Sequence, residues 1–386
     1  MKQANPVLSS YGTTIFEVMS RLAVEHQAIN LGQGFPDDRG PPDVLAAAAR
    51  ALTEGWNQYP PMMGLPELRR AVADHAGRFY GLAVDPMTEV MVTSGATEAL
   101  AACLMGLLAP GDEAVLFQPL YDSYVPIIRH AGAVPRYVTL QPPAWSFTRA
   151  DLERVFSQKT KLVVINTPQN PCAKVWSRDE LALLAEFLER FDAYAICDEV
   201  YEHLVFGAKT HVPLMTLPGM RERTLRIGSA GKTFSLTGWK VGYVTAAPKL
   251  LQPVAKAHQF LTFTTPPNLQ AAVAFGLAKP DDYFTGLAAE MQRRRDRLAS
   301  GLAGAGLTVL PADGTYFVIV DLAGLADDDA EFCRRITTEA GVAAIPVSAF
   351  YEENAPRQLI RFCFAKQDPV LDGAVERLGK FLRSKP

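Results

Sequence analysis

Along the middle of the chain, short runs of consecutive apolar residues alternate with stretches in which apolar residues recur every three or four positions. The runs predict strands over 90–93, 114–117, 161–166, 193–197, 225–228 and 242–246. The periodic stretches predict helices over 97–108, 122–131 and 178–190, between several of those strands. An unbroken apolar strand such as Leu162-Val163-Val164-Ile165 suits a sheet covered on both faces. Alternating units of this kind predict an α/β protein with a mainly parallel, doubly wound layer. The longest apolar stretch, 99–109, is too short to span a bilayer and is stopped by Pro110-Gly111-Asp112. It reads as a buried helix.

The last hundred residues carry a different pattern. A long amphipathic helix over 281–304 leads into a strand over 316–320. A helix near 329–340, a strand near 359–362 and a terminal helix from Asp368 follow. They predict a smaller α+β unit. The first forty-two residues hold Gly32, Gly34, Pro36, Gly40, Pro41 and Pro42. That segment is loop-rich and free to pack on either unit.

Composition narrows the function classes. A chain of 386 residues suits two domains and buries a sizeable core. A net charge of −3 gives no pull toward nucleic acid or anionic lipid. The densest basic spot, Arg293-Arg294-Arg295, reads as a solvated helix face. Cys103, Cys172, Cys197, Cys333 and Cys363 are odd in number and scattered, without a CxxC pair. They argue against a disulfide framework or a zinc site and for a reducing compartment. The first residues show no signal-peptide pattern, so a cytoplasmic location is expected.

Six segments carry candidate chemistry. Ser229-Ala230-Gly231-Lys232 continues to Gly238-Trp239-Lys240-Val241-Gly242 after a predicted strand. Ala195-Ile196-Cys197-Asp198-Glu199-Val200-Tyr201 puts an acid at a strand end, and Asn166-Thr167-Pro168-Gln169-Asn170-Pro171 does the same for three amides. In Thr93-Ser94-Gly95-Ala96-Thr97-Glu98, a strand turns through glycine into a helix whose free N–H groups make an anion site. Pro119-Leu120-Tyr121-Asp122-Ser123-Tyr124 places aromatics after another strand. Leu359-Ile360-Arg361-Phe362 sets one arginine in an apolar strand, where a charge is costly unless paired. Singly, each has an ordinary reading: a surface lysine, turn punctuation, an N-cap, a core aromatic, a structural ion pair.

Together these segments resemble the class I and II pyridoxal-phosphate (PLP) aminotransferases of fold type I, over nearly the whole chain. The resemblance implies an aspartate aminotransferase-like fold with a mainly parallel seven-stranded sheet. It implies a large PLP-binding domain over 45–285 and a small domain from 1–44, the N-terminal arm, with 286–386. Lys232 would bind the cofactor aldehyde and serve as general acid and base. Asp198 would keep the cofactor's ring nitrogen protonated. Tyr201 and Asn170 would donate to the ring oxygen, and Tyr121 would stack on the ring. Ser229, Lys240 and the Gly95, Ala96 and Thr97 loop would hold the phosphate, with Lys240 where the family often has arginine. Tyr59 would reach the phosphate of a neighbouring subunit, which implies a homodimer with shared active sites. Arg361 would grip the substrate carboxylate bidentately, beside Gly34.

Within that family the chain looks most like the branch of methionine aminotransferases and kynurenine/glutamine aminotransferases. That branch implies ping-pong transamination of neutral amino acids with 2-oxo acids. Kynurenine-preferring relatives carry a tryptophan near Ile15. Its absence favours a flexible apolar substrate such as methionine, with Ile15 at the substrate and Met62, Met63, Phe16 and Phe350 as either pocket or core. A cysteine-S-conjugate or cystathionine β-lyase and an N-succinyl-diaminopimelate aminotransferase remain as alternatives. A PLP-binding regulator would need a DNA-binding domain for which there is no room before residue 30.

Overall fold

Seven strands form the central sheet of the computed structural model, which describes Lys2 and residues 4–384. In spatial order they are Val90–Ser94, Val241–Thr245, Thr224–Ser229, Tyr194–Asp198, Thr160–Asn166, Glu113–Gln118 and Val134–Thr139. Val241–Thr245 runs antiparallel to both neighbours, and the other pairs are parallel. Six of these strands match the hydrophobic runs to within a residue or two. The seventh, Val134–Thr139, lies on the sheet edge, carries Pro135 and exposes part of its length. An edge strand tolerates proline and polar positions, which hid it from the apolar pattern.

The central strands show why an unbroken apolar run works here. Leu162 and Val164 enter one core cluster, with Leu100, Leu116 and Ile196. Val163 and Ile165 enter the other, with Phe117, Trp176 and Leu184. Side chains alternate across a strand, so both faces must be apolar when both are covered. Helix Gly95–Leu107 covers one face together with Pro248–Leu261. Helix Arg178–Arg190 has the bounds the pattern predicts and starts at a capping box of Ser177 and Glu180. Pro248–Leu261 and Pro267–Leu277 went unpredicted because prolines interrupt that region. Each helix begins on its proline, whose missing N–H is not needed there.

A second, four-stranded antiparallel sheet runs Ile345–Pro346, Leu359–Cys363, Phe317–Asp321, Thr308–Val309. The N-terminal segment joins this part of the molecule, because Ile29–Asn30 pairs in parallel with Val342–Ala343. The basic triplet on helix Asp281–Gly304 departs from its expected solvated face. Arg294 is buried and bridges Asp38 and Glu290, while Arg293 pins Asp368. These pairs tie the long helix to the loop after residue 34 and to the terminal helix.

Candidate active site

The parallel strands end together along one edge, where such sheets place their crevices. Asn166 is in register with Asp198, and Ser229 pairs with Gly242 while Ser94 pairs with Val241. Residues 94, 166, 198 and 229 therefore meet without any long loop reaching over. Gly95, Asn166, Asp198 and Ser229 line a cavity of about 420 Å³ closed on its far side by Gly34, Phe317 and Arg361.

Asp198 and Lys232 both line this cavity. Burial pushes the Asp198 carboxyl up to about 6, against the hydrogen bond from Tyr124. The Tyr124 hydroxyl donates to its Oδ2 at 2.6 Å, and its Oδ1 is buried with no partner. Burial also lowers the Lys232 ammonium to about 8, helped by the charges of Arg361 and Lys240. Near neutral pH a useful fraction of that amine is therefore unprotonated. Tyr201 is buried, which raises its phenol well above the usual range and keeps it a donor.

The turn carrying Asp198 and Tyr201 is fixed from below. Glu199, wholly buried, accepts from Arg226 Nε at 2.6 Å and contacts His211 at 3.0 Å. Glu202 is held by Arg226 and by the Tyr80 hydroxyl. His75, Glu202 and His203 bring three possible metal-ligand atoms within 4.8 Å. Glu202 already has those partners, and the two imidazoles bond each other at 2.7 Å, so the group is read as a structural network.

Arg361 is 1% exposed and has no carboxylate partner among the described residues. Its Nη1 donates to Asn170 Oδ1 at 2.6 Å and its Nη2 to the Gly32 carbonyl at 2.9 Å, while Nε is unpaired. The guanidinium lies 3.9 Å from the Phe317 ring centroid and 5.0 and 5.4 Å from those of Phe350 and Phe16. Burial pulls its affinity for protons down to about 10, so it remains a cation without a counterion. That is a site built for an anion. Asn170 gives its oxygen to Arg361 and its backbone N–H to Asn166 Oδ1 at 2.7 Å, which leaves its amide N–H groups available to a ligand.

A second anion site lies at the start of helix Gly95–Leu107. Gly95 has φ of +72°, which glycine adopts without strain. A Cβ there would meet Lys240 Cε at 3.2 Å, so the lysine stem lies directly over the loop. Gly242 is as constrained: a Cβ on it would sit 2.6 Å from the Gly95 carbonyl carbon. Ala96, Thr97, Ser229 and Lys240 line the same end of the cavity.

Of the residues expected at the site, Gly34, Gly95, Ala96, Thr97, Tyr121, Asn170, Asp198, Tyr201, Ser229, Lys232, Lys240 and Arg361 line the cavity. Two do not. Ile15 opens helix Ile15–Glu25 and packs on the core, while its neighbour Phe16 takes the cavity wall. Tyr59 is 84% exposed, outside this chain's own cavity, with its ring edge-on to Phe263 at 5.8 Å. Met62 and Met63 pack against the core and do not line the cavity. Phe350 does not line it, but its ring meets Phe16 and the Arg361 guanidinium. Sequence reasoning missed Tyr124, which bonds Asp198, and Tyr316, whose hydroxyl lies 2.8 Å from Lys232 Nζ. Tyr124 stood inside a quoted segment, and Tyr316 read as the first apolar residue of a strand.

A family model described as aminotransferase class I and II matches residues 26–378. The crystal structure of an Escherichia coli protein with a methionine aminotransferase function superposes with a TM-score of 0.95 at 41% identity, covering 98% of this chain and 100% of that one. A probable N-succinyldiaminopimelate aminotransferase of Mycobacterium tuberculosis is 45% identical over 383 residues, 96% of each chain. Kynurenine–oxoglutarate transaminase 3 of Mus musculus is 38% identical over 395 residues, 94% of this chain and 87% of the mouse protein.

Proposed function

The chain belongs to the class I and II aminotransferase family, with an aspartate aminotransferase-like fold, and from that premise we propose a specific reaction. It moves the amino group of a neutral L-amino acid to a 2-oxo acid by a ping-pong cycle, with pyridoxal 5'-phosphate held on Lys232. One observation carries this reading. A buried carboxylate with a free oxygen, a depressed lysine and an arginine with no counterion share one cavity.

The cavity's unsatisfied groups fit that cofactor. Asp198 Oδ1 lacks the donor that a protonated ring nitrogen would provide. Tyr201 and the amide N–H groups of Asn170 line the cavity where they could donate to a ring oxygen, and Tyr121 offers a ring to stack on. The Gly95 turn, Ser229 and Lys240 make a cradle for a dianionic phosphate. When bound, the cofactor supplies an aldehyde that carries the amino group and a ring that withdraws electrons from the substrate carbon. Lys232 takes the substrate's α-proton and later returns a proton to complete the transfer. Arg361 anchors the α-carboxylate, through the Nε–H that is now unpaired.

Substrate class follows from what surrounds Arg361. No other arginine lines the cavity among the described residues, so a side-chain carboxylate has no second fork to meet. Phe16, Phe35 and Phe317 give it apolar walls. The methionine and kynurenine activities of the relatives agree with a neutral, sulfur-containing or aromatic donor. The 45% identical N-succinyldiaminopimelate relative supports a second reading. We also place Tyr59 at the partner's phosphate in a cytoplasmic homodimer, and divide the chain into a large domain over 45–285 and a small one from 1–44 and 286–386. A panel of amino donors against several 2-oxo acids, scored by kcat/KM, tests the proposal. Methionine, glutamine or an aromatic amino acid should lead by at least tenfold over aspartate. A lead for N-succinyl-diaminopimelate would favour the second reading, and thiol release from cystathionine without amino transfer would favour a β-lyase.

A further inference from the structure

One side chain that touches Lys232 does not line the cavity. Tyr316 is 1% exposed and directly precedes strand Phe317–Asp321 in the smaller sheet. Its hydroxyl lies 2.8 Å from Lys232 Nζ and 2.6 Å from the Gly34 carbonyl oxygen. Lys232 Nζ is itself 3.4 Å from that carbonyl. Three groups remote in sequence, at 34, 232 and 316, thus close a triangle behind the lysine. Ring packing on Tyr201 and Phe317 explains an aromatic residue at 316, and its hydroxyl, which also meets the Tyr201 side chain, is held at the lysine.

The hydrogen-bond directions follow from elementary chemistry. A carbonyl oxygen can only accept, so the single hydroxyl proton of Tyr316 goes to Gly34. Toward the lysine the phenol oxygen then offers only lone pairs, and Lys232 must be the donor. Both close neighbours of Nζ are therefore acceptors. A neutral amine has two N–H bonds and one lone pair. Two acceptors engage the hydrogens and leave the lone pair uncommitted. A tyrosine that donated to Nζ would do the reverse and block it.

We propose that Tyr316 is a positioning residue, whose hydroxyl is locked onto the Gly34 carbonyl and holds the freed Lys232 amine by its hydrogens, leaving its lone pair to take the substrate's α-proton. This rests on the transaminase reading above. In the step itself the C–H bond breaks and its electron pair stays on the substrate carbon. The proton forms the third N–H bond of an ammonium that keeps the same two acceptors. Holding the base in one orientation lowers the entropy lost on reaching the transition state. Tyr316 also joins the lysine of the large sheet to the Gly34 loop at the substrate, so the base is in position only when that loop is.

Tyr316→Phe keeps the ring and removes the hydroxyl. Two readouts test it. In cofactor-free protein, competitive acetylation of Lys232 across pH, followed by peptide mass spectrometry, reports the amine's own titration. Losing an acceptor disfavours the ammonium, so the midpoint should fall below that of the wild type. In cofactor-loaded protein, the single-turnover rate with methionine should fall about tenfold or more, the effect of one hydrogen bond to a group that becomes charged. Affinity for an α-methyl amino acid, which has no α-proton to lose, should stay within threefold. The effect of α-deuteration on the rate should be retained or grow. A rate within twofold of wild type, an unchanged acetylation midpoint, or a parallel loss of α-methyl amino acid affinity would overturn the proposal. A wild-type protein that never transaminates would refute the reading beneath it instead, and the acetylation midpoint would still decide the role of Tyr316 toward the amine.

Discussion

Asp198 is a buried acid with one satisfied oxygen, and its titration has a consequence for stability. An unfolded aspartate has a pKa near 3.8, and burial raises this one to about 6. Its raised pKa stabilises the fold fully below about pH 4, and that contribution is lost as pH climbs through about 6. A shift of about two units is on the order of 3 kcal/mol. Asp198→Asn carries no such charge. Without cofactor, it should melt several degrees above wild type at pH 7.5 and level with it at pH 4. The same variant should bind PLP more weakly, because an amide cannot hold a ring cation. Melting curves at the two pH values check the first half, and equilibrium dialysis the second. A cofactor-free variant less stable than wild type at pH 7.5 would mean that the carboxylate has a cationic partner.

Among the elements, the contact between strand Val241–Thr245 and the turn into helix Gly95–Leu107 shapes the proposed phosphate cradle. Backbone meets backbone there, so a methyl group at 242 has nowhere to go: it would lie 2.6 Å from Gly95 C and 2.8 Å from Ala96 N. Gly242→Ala should lose at least tenfold in PLP affinity and about 1–3 kcal/mol of stability through overpacking. Gly238→Ala, with nothing within 4 Å of its new Cβ, should change neither. Equal affinities for the two variants would place the phosphate elsewhere. The element scale also shows where sequence was informative. Strands buried on both faces announced themselves as unbroken apolar runs, and helix Arg178–Arg190 through its periodicity. Strand Val134–Thr139 did not, because an edge needs neither continuous apolarity nor freedom from proline. The two-residue pairing of Ile29–Asn30 with Val342–Ala343 is too short for any periodicity. The cavity residues at strand ends were legible because each closes a local strand-to-turn segment. Tyr316 was not, since its partners lie 84 and 282 positions away.

At the scale of the whole molecule, Trp56, Tyr59 and Phe260 are large rings each more than three-quarters exposed on a single chain. Tyr59, expected at the phosphate of a neighbouring subunit, lies outside its own chain's cavity. In the shared-site dimer proposed above, one chain's Tyr59 would complete its partner's phosphate cradle. Mixing Lys232→Ala subunits with Tyr59→Ala subunits, unfolding and refolding them together, should then build heterodimers with one complete site. Activity at limiting PLP should exceed the sum of the two parents refolded separately. If Tyr59 serves its own chain, the mixture should show no gain.

Everything in the cavity converges on one amine. Incubation of the protein with PLP, reduction with borohydride and peptide mass spectrometry would locate the bond. The predicted result is a single phosphopyridoxyl adduct on Lys232, absent from Lys232→Ala together with the yellow colour and the turnover. An adduct on Lys240 or another lysine, or full activity in Lys232→Ala, would contradict it.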